Sequence, residues 1–175
     1  MKSFSKPWIT IGFSCNKTAF IKNNLPYSFY RTWRPEYFSK LINMFLNKNN
    51  KKTIFLIGAK NELNLAKKIK NKCHYNKNII ISCNPIIKNL SILSKSTFFI
   101  GNDSGPLNLS GAMGIKSFGL FGASPPIKNI SNIHPLIPPK GPVNPHKYGF
   151  NPISLEEGMD LIKPEYVFKK LKKFI

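Results

Sequence analysis

Apolar residues occur along this chain in short unbroken runs separated by amphipathic stretches, and the change of period between the two predicts its elements. Trp8 to Ser14, Lys52 to Gly58, Asn78 to Ser82, Thr97 to Gly101 and Lys116 to Phe121 carry the β-branched and aromatic residues of strands. The second, Lys-Thr-Ile-Phe-Leu-Ile-Gly, is apolar at consecutive positions, as a central parallel strand covered on both faces should be. Between these runs the period becomes helical. Pro35 and Glu36 open a helix through about Lys48, with Phe38, Leu41, Ile42, Phe45 and Leu46 on one stripe. Asn61 to Lys72 turns Leu65, Ala66 and Ile69 inward; Ile86 to Leu93 and Gly105 to Met113 are shorter helices. A last helix begins at Pro164 and presents Val167, Phe168 and Leu171 to a surface. Strand and helix in alternation predict an α/β, Rossmann-like parallel sheet with helices on both faces.

Two stretches interrupt the pattern. Cys15 to Tyr30 is polar and irregular, a loop at the carboxyl end of the first strand, where open α/β sheets bind ligands. From Ala123 to Pro152, prolines at 125, 126, 135, 138, 139, 142, 145 and 152 exclude regular helix or central strand and leave an ordered loop or arm. The expected organisation is one domain over residues 1–175, with its core at 8–122, a Pro-rich arm at 123–152 and a C-terminal helix at 163–174.

A length of 175 residues suffices for one core and is too short for two full domains. No apolar stretch reaches the roughly 20 residues of a membrane-spanning helix. Met1 to Pro7 lacks the apolar segment of a secretory signal, so a cytoplasmic location is expected. Cys15, Cys73 and Cys83 are odd in number and widely spaced, which suggests neither a disulfide framework nor a zinc site; no metal is expected. His74, His134 and His146 are equally scattered and read as surface or loop residues. The net charge of +20 would attract nucleic acid, anionic lipid or phosphorylated sugars. Its densest runs, Lys67 to Lys72 and Lys169 to Lys173, lie on helices whose other face is apolar and read first as solvated faces. Charge thus sets a class of partner rather than a function.

Candidate chemistry concentrates in one stretch, Phe98-Phe99-Ile100-Gly101-Asn102-Asp103-Ser104-Gly105-Pro106 and the helix behind it. The helix-opening N–H groups of Ser104 and Gly105 lack partners within the helix and can receive phosphate or hydroxyl oxygens, and Gly105 lets a ligand come close. Asp103 has two readings, a cap for that helix or an acceptor for a ligand hydroxyl. Glu62, in Gly58-Ala59-Lys60-Asn61-Glu62 after the second strand, also has two: a ribose-hydroxyl acceptor or a capping glutamate. Glu36 is explained by the helix dipole alone.

The run from Gly101 to Gly114, with Phe121-Gly122-Ala123-Ser124-Pro125-Pro126, resembles the donor-binding half of glycosyltransferase family 9, the ADP-heptose:lipopolysaccharide heptosyltransferases. Gly101, Asp103, Ser104, Gly105, Leu109, Ala112 and Gly114 match the family's loop and helix, while Asn108 stands where a histidine is usual. Arg31-Thr32-Trp33-Arg34-Pro35-Glu36 is similar to the family's Lys-x-Trp-Pro-x-Glu segment, with Arg31 in place of the lysine. Ser14-Cys15-Asn16 replaces its Pro-Gly-Ala turn. The resemblance implies one half of a GT-B fold that binds a nucleoside-diphosphate sugar, ADP-heptose, through Arg31, Glu62, Asp103, Ser104, Gly105 and Asn108. It implies no metal and no cofactor beyond the donor substrate. The sugar would pass with inversion to a lipopolysaccharide-core acceptor once an acceptor domain or chain supplied the catalytic base. The residues ahead of Trp8 are too few to encode that domain, and no catalytic residue is assigned. A peripheral position at an anionic inner membrane face would suit such an acceptor and the basic charge. Other readings stand beside this one: a non-catalytic relic or partner subunit, and a basic nucleic-acid-binding module, for which an interleaved basic and aromatic motif is lacking. The related epimerases would need catalytic acids and histidines that the chain does not show.

Overall fold

Six strands, β1 (Trp8–Gly12), β2 (Thr53–Gly58), β3 (Ile79–Cys83), β4 (Ser96–Asn102), β5 (Ser117–Leu120) and β6 (Ile133–Leu136), form one parallel sheet in the order β3-β2-β1-β4-β5-β6. This computed structural model describes residues 8–15, 21–22, 25–26, 31–122, 125–139 and 158–175. The chain winds outward from β1 to β3, returns to the other side of β1 as β4, and winds outward again. The order therefore reverses between β1 and β4, and the crevice beyond the carboxyl ends of those two strands is the ligand position of doubly wound sheets.

Each strand divides its side chains between two cores. Ile9, Ile11, Ile54, Leu56, Phe98 and Ile100 meet the helices α1 (Pro35–Lys48), α2 (Leu63–Asn71) and α5 (Pro164–Leu171) on one face. Trp8, Phe55, Ile57 and Phe99 point to the other, which is covered by α3 (Leu90–Leu93) and α4 (Gly105–Ala112). The period of two along each strand places neighbours on opposite faces, so a two-sided sheet demands the continuous apolar runs seen in the sequence. α1 shows how locally its limits are set. Pro35 supplies a preformed first turn, Glu36 and Lys48 suit the dipole at either end, and Phe38, Leu41, Ile42, Phe45 and Leu46 are all buried. Burial of each of these side chains contributes about 1.5–3 kcal/mol as an upper estimate.

Within the stretch read as a Pro-rich connection, Ile133–Leu136 is a sixth strand at the sheet edge. Pro135 is compatible with it because β6 turns the amides and carbonyls of alternate residues toward β5: Ser117 N–H bonds Asn132 O at 2.9 Å and Phe121 N–H bonds Leu136 O at 3.0 Å. The nitrogen of Pro135 faces the open side of the edge, where no ladder bond is lost and strand addition is discouraged. The remaining arm, residues 123–124 and 140–152, lies outside the described residues. The loop expected at Cys15 to Tyr30 contains a short antiparallel pairing of Ile21–Lys22 with Leu25–Pro26; its other residues from 16 to 30 are likewise outside the description.

Glycines at the carboxyl ends of β1 and β4 keep the crevice narrow. A Cβ on Gly101 would stand 2.5 Å from the Gly12 carbonyl oxygen, and one on Gly12 would stand 2.6 Å from the Phe99 ring. The two strands approach this closely only because neither residue has a side chain.

Candidate functional site

All six residues singled out in the sequence lie at the carboxyl edge of the sheet, on the loops and helix starts that follow β1, β2 and β4. Arg31, just ahead of α1, sets Nη2 on the Asp103 carboxylate as an ion pair and also donates to the Asp103 carbonyl at 3.1 Å. The positions are 72 residues apart, and the return of the chain from β3 to β4, beside β1, brings them together. The capping position of α4 falls on Ser104, not on Asp103, and the Ser104 hydroxyl makes no capping bond.

Glu62 closes a second corner. Its Oε2 accepts the Ala59 amide at 2.7 Å, the reach-back bond of a helix-start glutamate. Its Oε1 accepts the Ser14 hydroxyl at 2.5 Å, which ties the loop after β2 to the loop after β1. The capping reading of Glu62 therefore holds in the structure. Each carboxylate oxygen keeps a further lone pair, so a ribose hydroxyl can still donate to it. Between these corners lies Cys15, buried, its Sγ 3.0 Å from Thr32 Oγ1. Burial pushes its thiol above the usual range; the Thr32 hydrogen bond and the nearby Arg31 charge oppose this, while Asp103 and Glu62 reinforce it.

At the head of α4, polar atoms are buried without hydrogen-bond partners among the described residues: Asn102 Nδ2, Ser104 Oγ and Asn108 Oδ1. Ser104 and Asn108 are four residues apart and share one helix face. Asn102 is fully buried, and its amide orientation is set because Oδ1 accepts the Trp33 N–H at 2.9 Å. Nδ2 is then left as a donor in search of an acceptor. A Cβ built on Gly105 meets nothing within 4 Å, so free space adjoins the first turn of the helix. Orphaned groups of this kind cost about 1–3 kcal/mol each.

Among its candidate site residues the sequence reading did not include Ser14, Asn102 or Asp160, whose Oδ1 accepts Arg34 Nε–H at 2.6 Å. Asn102 carried a signal, since a polar residue ends an otherwise apolar strand; Asp160 carried none. Among the described residues, no cluster of His, Cys, Asp and Glu is placed to hold a metal ion, and no helix is long and apolar enough to cross a membrane.

The comparisons agree with this architecture. Glycosyltransferase family 9 (heptosyltransferase) matches residues 28–136, a span from the approach to Arg31 through β6. The structure of E. coli ADP-heptose lipopolysaccharide heptosyltransferase II superposes with a TM-score of 0.73 at 12% identity, covering 98% of this chain and 47% of that one. E. coli heptosyltransferase WaaC with ADP gives 0.66 at 14% identity, covering 100% and 46%. The family 9 glycosyltransferase from Veillonella parvula gives 0.68 at 15% identity, covering 98% and 47%. The chain thus spans less than half the length of the solved proteins it matches. No curated protein sequence matches it. With the family matched across most of the sheet and all three folds superposing on it, the chain belongs to glycosyltransferase family 9.

Proposed function

We propose that this domain binds the nucleoside-diphosphate sugar donor of a heptosyltransferase-type reaction, with ADP-heptose as the donor. The observation that carries the reading is the trio of unpartnered buried atoms, Asn102 Nδ2, Ser104 Oγ and Asn108 Oδ1, beside the open amides of α4 at the reversal of strand order. A ligand rich in both hydroxyls and anionic oxygens satisfies such a set. The diphosphate would lie at the Ser104 and Gly105 amides, favoured by the helix dipole. Arg31 stands beside it as the cation, and Glu62 faces the ribose.

In the reaction an acceptor hydroxyl attacks the anomeric carbon, and the bond from that carbon to the β-phosphate oxygen breaks. The electron pair leaves with the nucleoside diphosphate, whose growing charge the α4 amides and Arg31 stabilise. The hydroxyl proton passes to a base on the acceptor-binding part of the enzyme. The acceptor is then a lipopolysaccharide core, and the basic surface suits both it and an anionic membrane face.

Calorimetric titration with ADP and ADP-sugars tests the binding step. Saturable binding is expected, weakened at least tenfold in Arg31→Ala and Asp103→Ala and less in Glu62→Ala. Absence of binding, or binding indifferent to all three substitutions, overturns the reading; salt-sensitive capture of generic oligonucleotides that displaces ADP would favour the nucleic-acid module instead. A second reading, a non-catalytic relic or partner subunit without turnover of its own, is favoured by Asn108 where the family usually has a histidine and by Ser14-Cys15-Asn16 in place of its glycine-containing turn. Transferase assays of this chain alone and with a separately supplied acceptor domain distinguish the two.

A further inference from the structure

We propose that Asp160 is a positioning residue for Arg31, holding its guanidinium at the diphosphate site through a clamp on Trp33 and Arg34. The inference rests on the donor-binding reading above.

The clamp has three points, supplied by two distant parts of the chain, the end of β4 and the segment from Asp160 to Ile162. Trp33 N–H donates to Asn102 Oδ1 at 2.9 Å, and Trp33 Nε1 donates to the Ile162 carbonyl at 2.7 Å. Arg34 forks onto Asp160, Nε to Oδ1 at 2.6 Å and Nη2 to Oδ2. The segment that carries Asp160 and Ile162 is itself seated on backbone. A Cβ on Gly122 would stand 2.6 Å from Met159 Cα, Gly122 N–H approaches Met159 Sδ at 3.1 Å, and Gly158 turns at φ +75°, where only glycine is unstrained.

Geometry gives the clamp its consequence. Arg31 is two residues from the pinned Trp33, and its partner Asp103 is one residue from the pinned Asn102. Both members of the ion pair are therefore indexed on a single joint, and the Arg34–Asp160 fork stops that joint from rotating. The fork is bidentate, so it fixes direction as well as distance. It adds little to stability, because the Arg34 side chain is 47% exposed and the five buried apolar residues of α1 already hold the helix. Loss of Asp160 should thus show in the aim of Arg31 rather than in folding.

The experiment measures dissociation constants for ADP and for adenosine, which lacks the phosphates that Arg31 would meet, alongside thermal unfolding. In Asp160→Asn the ADP affinity should fall three- to tenfold while adenosine changes less than twofold and the unfolding midpoint stays put. The exchanged pair Arg34→Asp/Asp160→Arg should recover most of the loss. An unchanged ratio of ADP to adenosine affinity in Asp160→Asn, while Arg31→Ala abolishes that ratio, overturns the inference and leaves donor binding standing. An equal loss for both ligands also overturns it. If the native chain binds neither ligand, donor binding falls; the clamp is then judged on the Arg31 Nε–H resonance of protein carrying nitrogen-15 arginine. A shift in Asp160→Asn that the exchanged pair reverses supports the clamp, and an unmoved resonance refutes it.

Discussion

Two buried asparagines at the carboxyl edge of the same sheet meet opposite fates. Asn89, beyond the end of β3, is 1% exposed and closes a network: its Oδ1 accepts the Ser82 hydroxyl at 2.7 Å, and its Nδ2 reaches the Ser82 and Asn84 carbonyls at 3.4 Å. Asn84 Nδ2 completes it on Ser82 Oγ at 3.1 Å. Asn102, at the end of β4, is 0% exposed; its oxygen is used and its Nδ2 is not, and Ser104 and Asn108 beside it are left in the same condition. Among the described residues the polar groups at the end of β3 satisfy one another, whereas those at the end of β4 do not. Elsewhere Trp8 Nε1 is also without a partner, next to the undescribed residues 1–7. The difference teaches that an edge of loops is not a site throughout. The unpartnered atoms lie where strand order reverses and the flanking crossovers part, the position at which doubly wound sheets hold ligands.

Three substitutions sharpen or break this contrast. The largest effect is expected from Gly122→Ala, because the Cβ is driven into the Met159 backbone, which cannot rotate away as a side chain would. A loss of about 3 kcal/mol in urea unfolding is expected; a loss below about 1 kcal/mol would mean that the seat of the Asp160 segment yields. Asn89→Ala removes the centre of the closed network and should cost about 2 kcal/mol by the same measurement. An effect near zero would erase the distinction between the two ends. Ser104→Ala should not destabilise the ligand-free protein and should raise its stability by up to about 1 kcal/mol, although a serine cap normally contributes about 1 kcal/mol, since its buried hydroxyl makes no capping bond here. The same variant should bind ADP more weakly. A clear destabilisation with ADP affinity intact would identify Ser104 as an ordinary cap and close the open end.

Most of the elements were legible because each is determined by neighbours in sequence. α1 begins at Pro35 and ends at Lys48 as its proline, its charges and its apolar stripe imply, and the five expected strands all lie within two residues of their expected limits. β6 was not legible. Its four residues include a proline, and only the register against β5 shows that the missing N–H falls on the open side. Of the site, the loop from Gly101 to Gly105 stood out because glycines, a polar turn and a helix start are adjacent in the chain. The capping glutamate at 62 could be read from its spacing, but not its bond to Ser14, 48 residues away. Of the two readings of Asp103, a helix cap or a hydroxyl acceptor, the first is not realised: Ser104 takes the capping position, and the Asp103 carboxylate pairs with Arg31.

The sequence by itself determined a two-faced parallel sheet, the helices that cover it and the anion-ready turn after β4, since period, propensity and chain-adjacent polarity act over a few residues. Only the tertiary structure decided which carboxylates pair with which cations, that Asp160 steadies Arg34 from 126 residues away, and which polar atoms remain without partners. Those outcomes depend on the order in which the strands are laid side by side, and packing settles that order across the whole molecule at once.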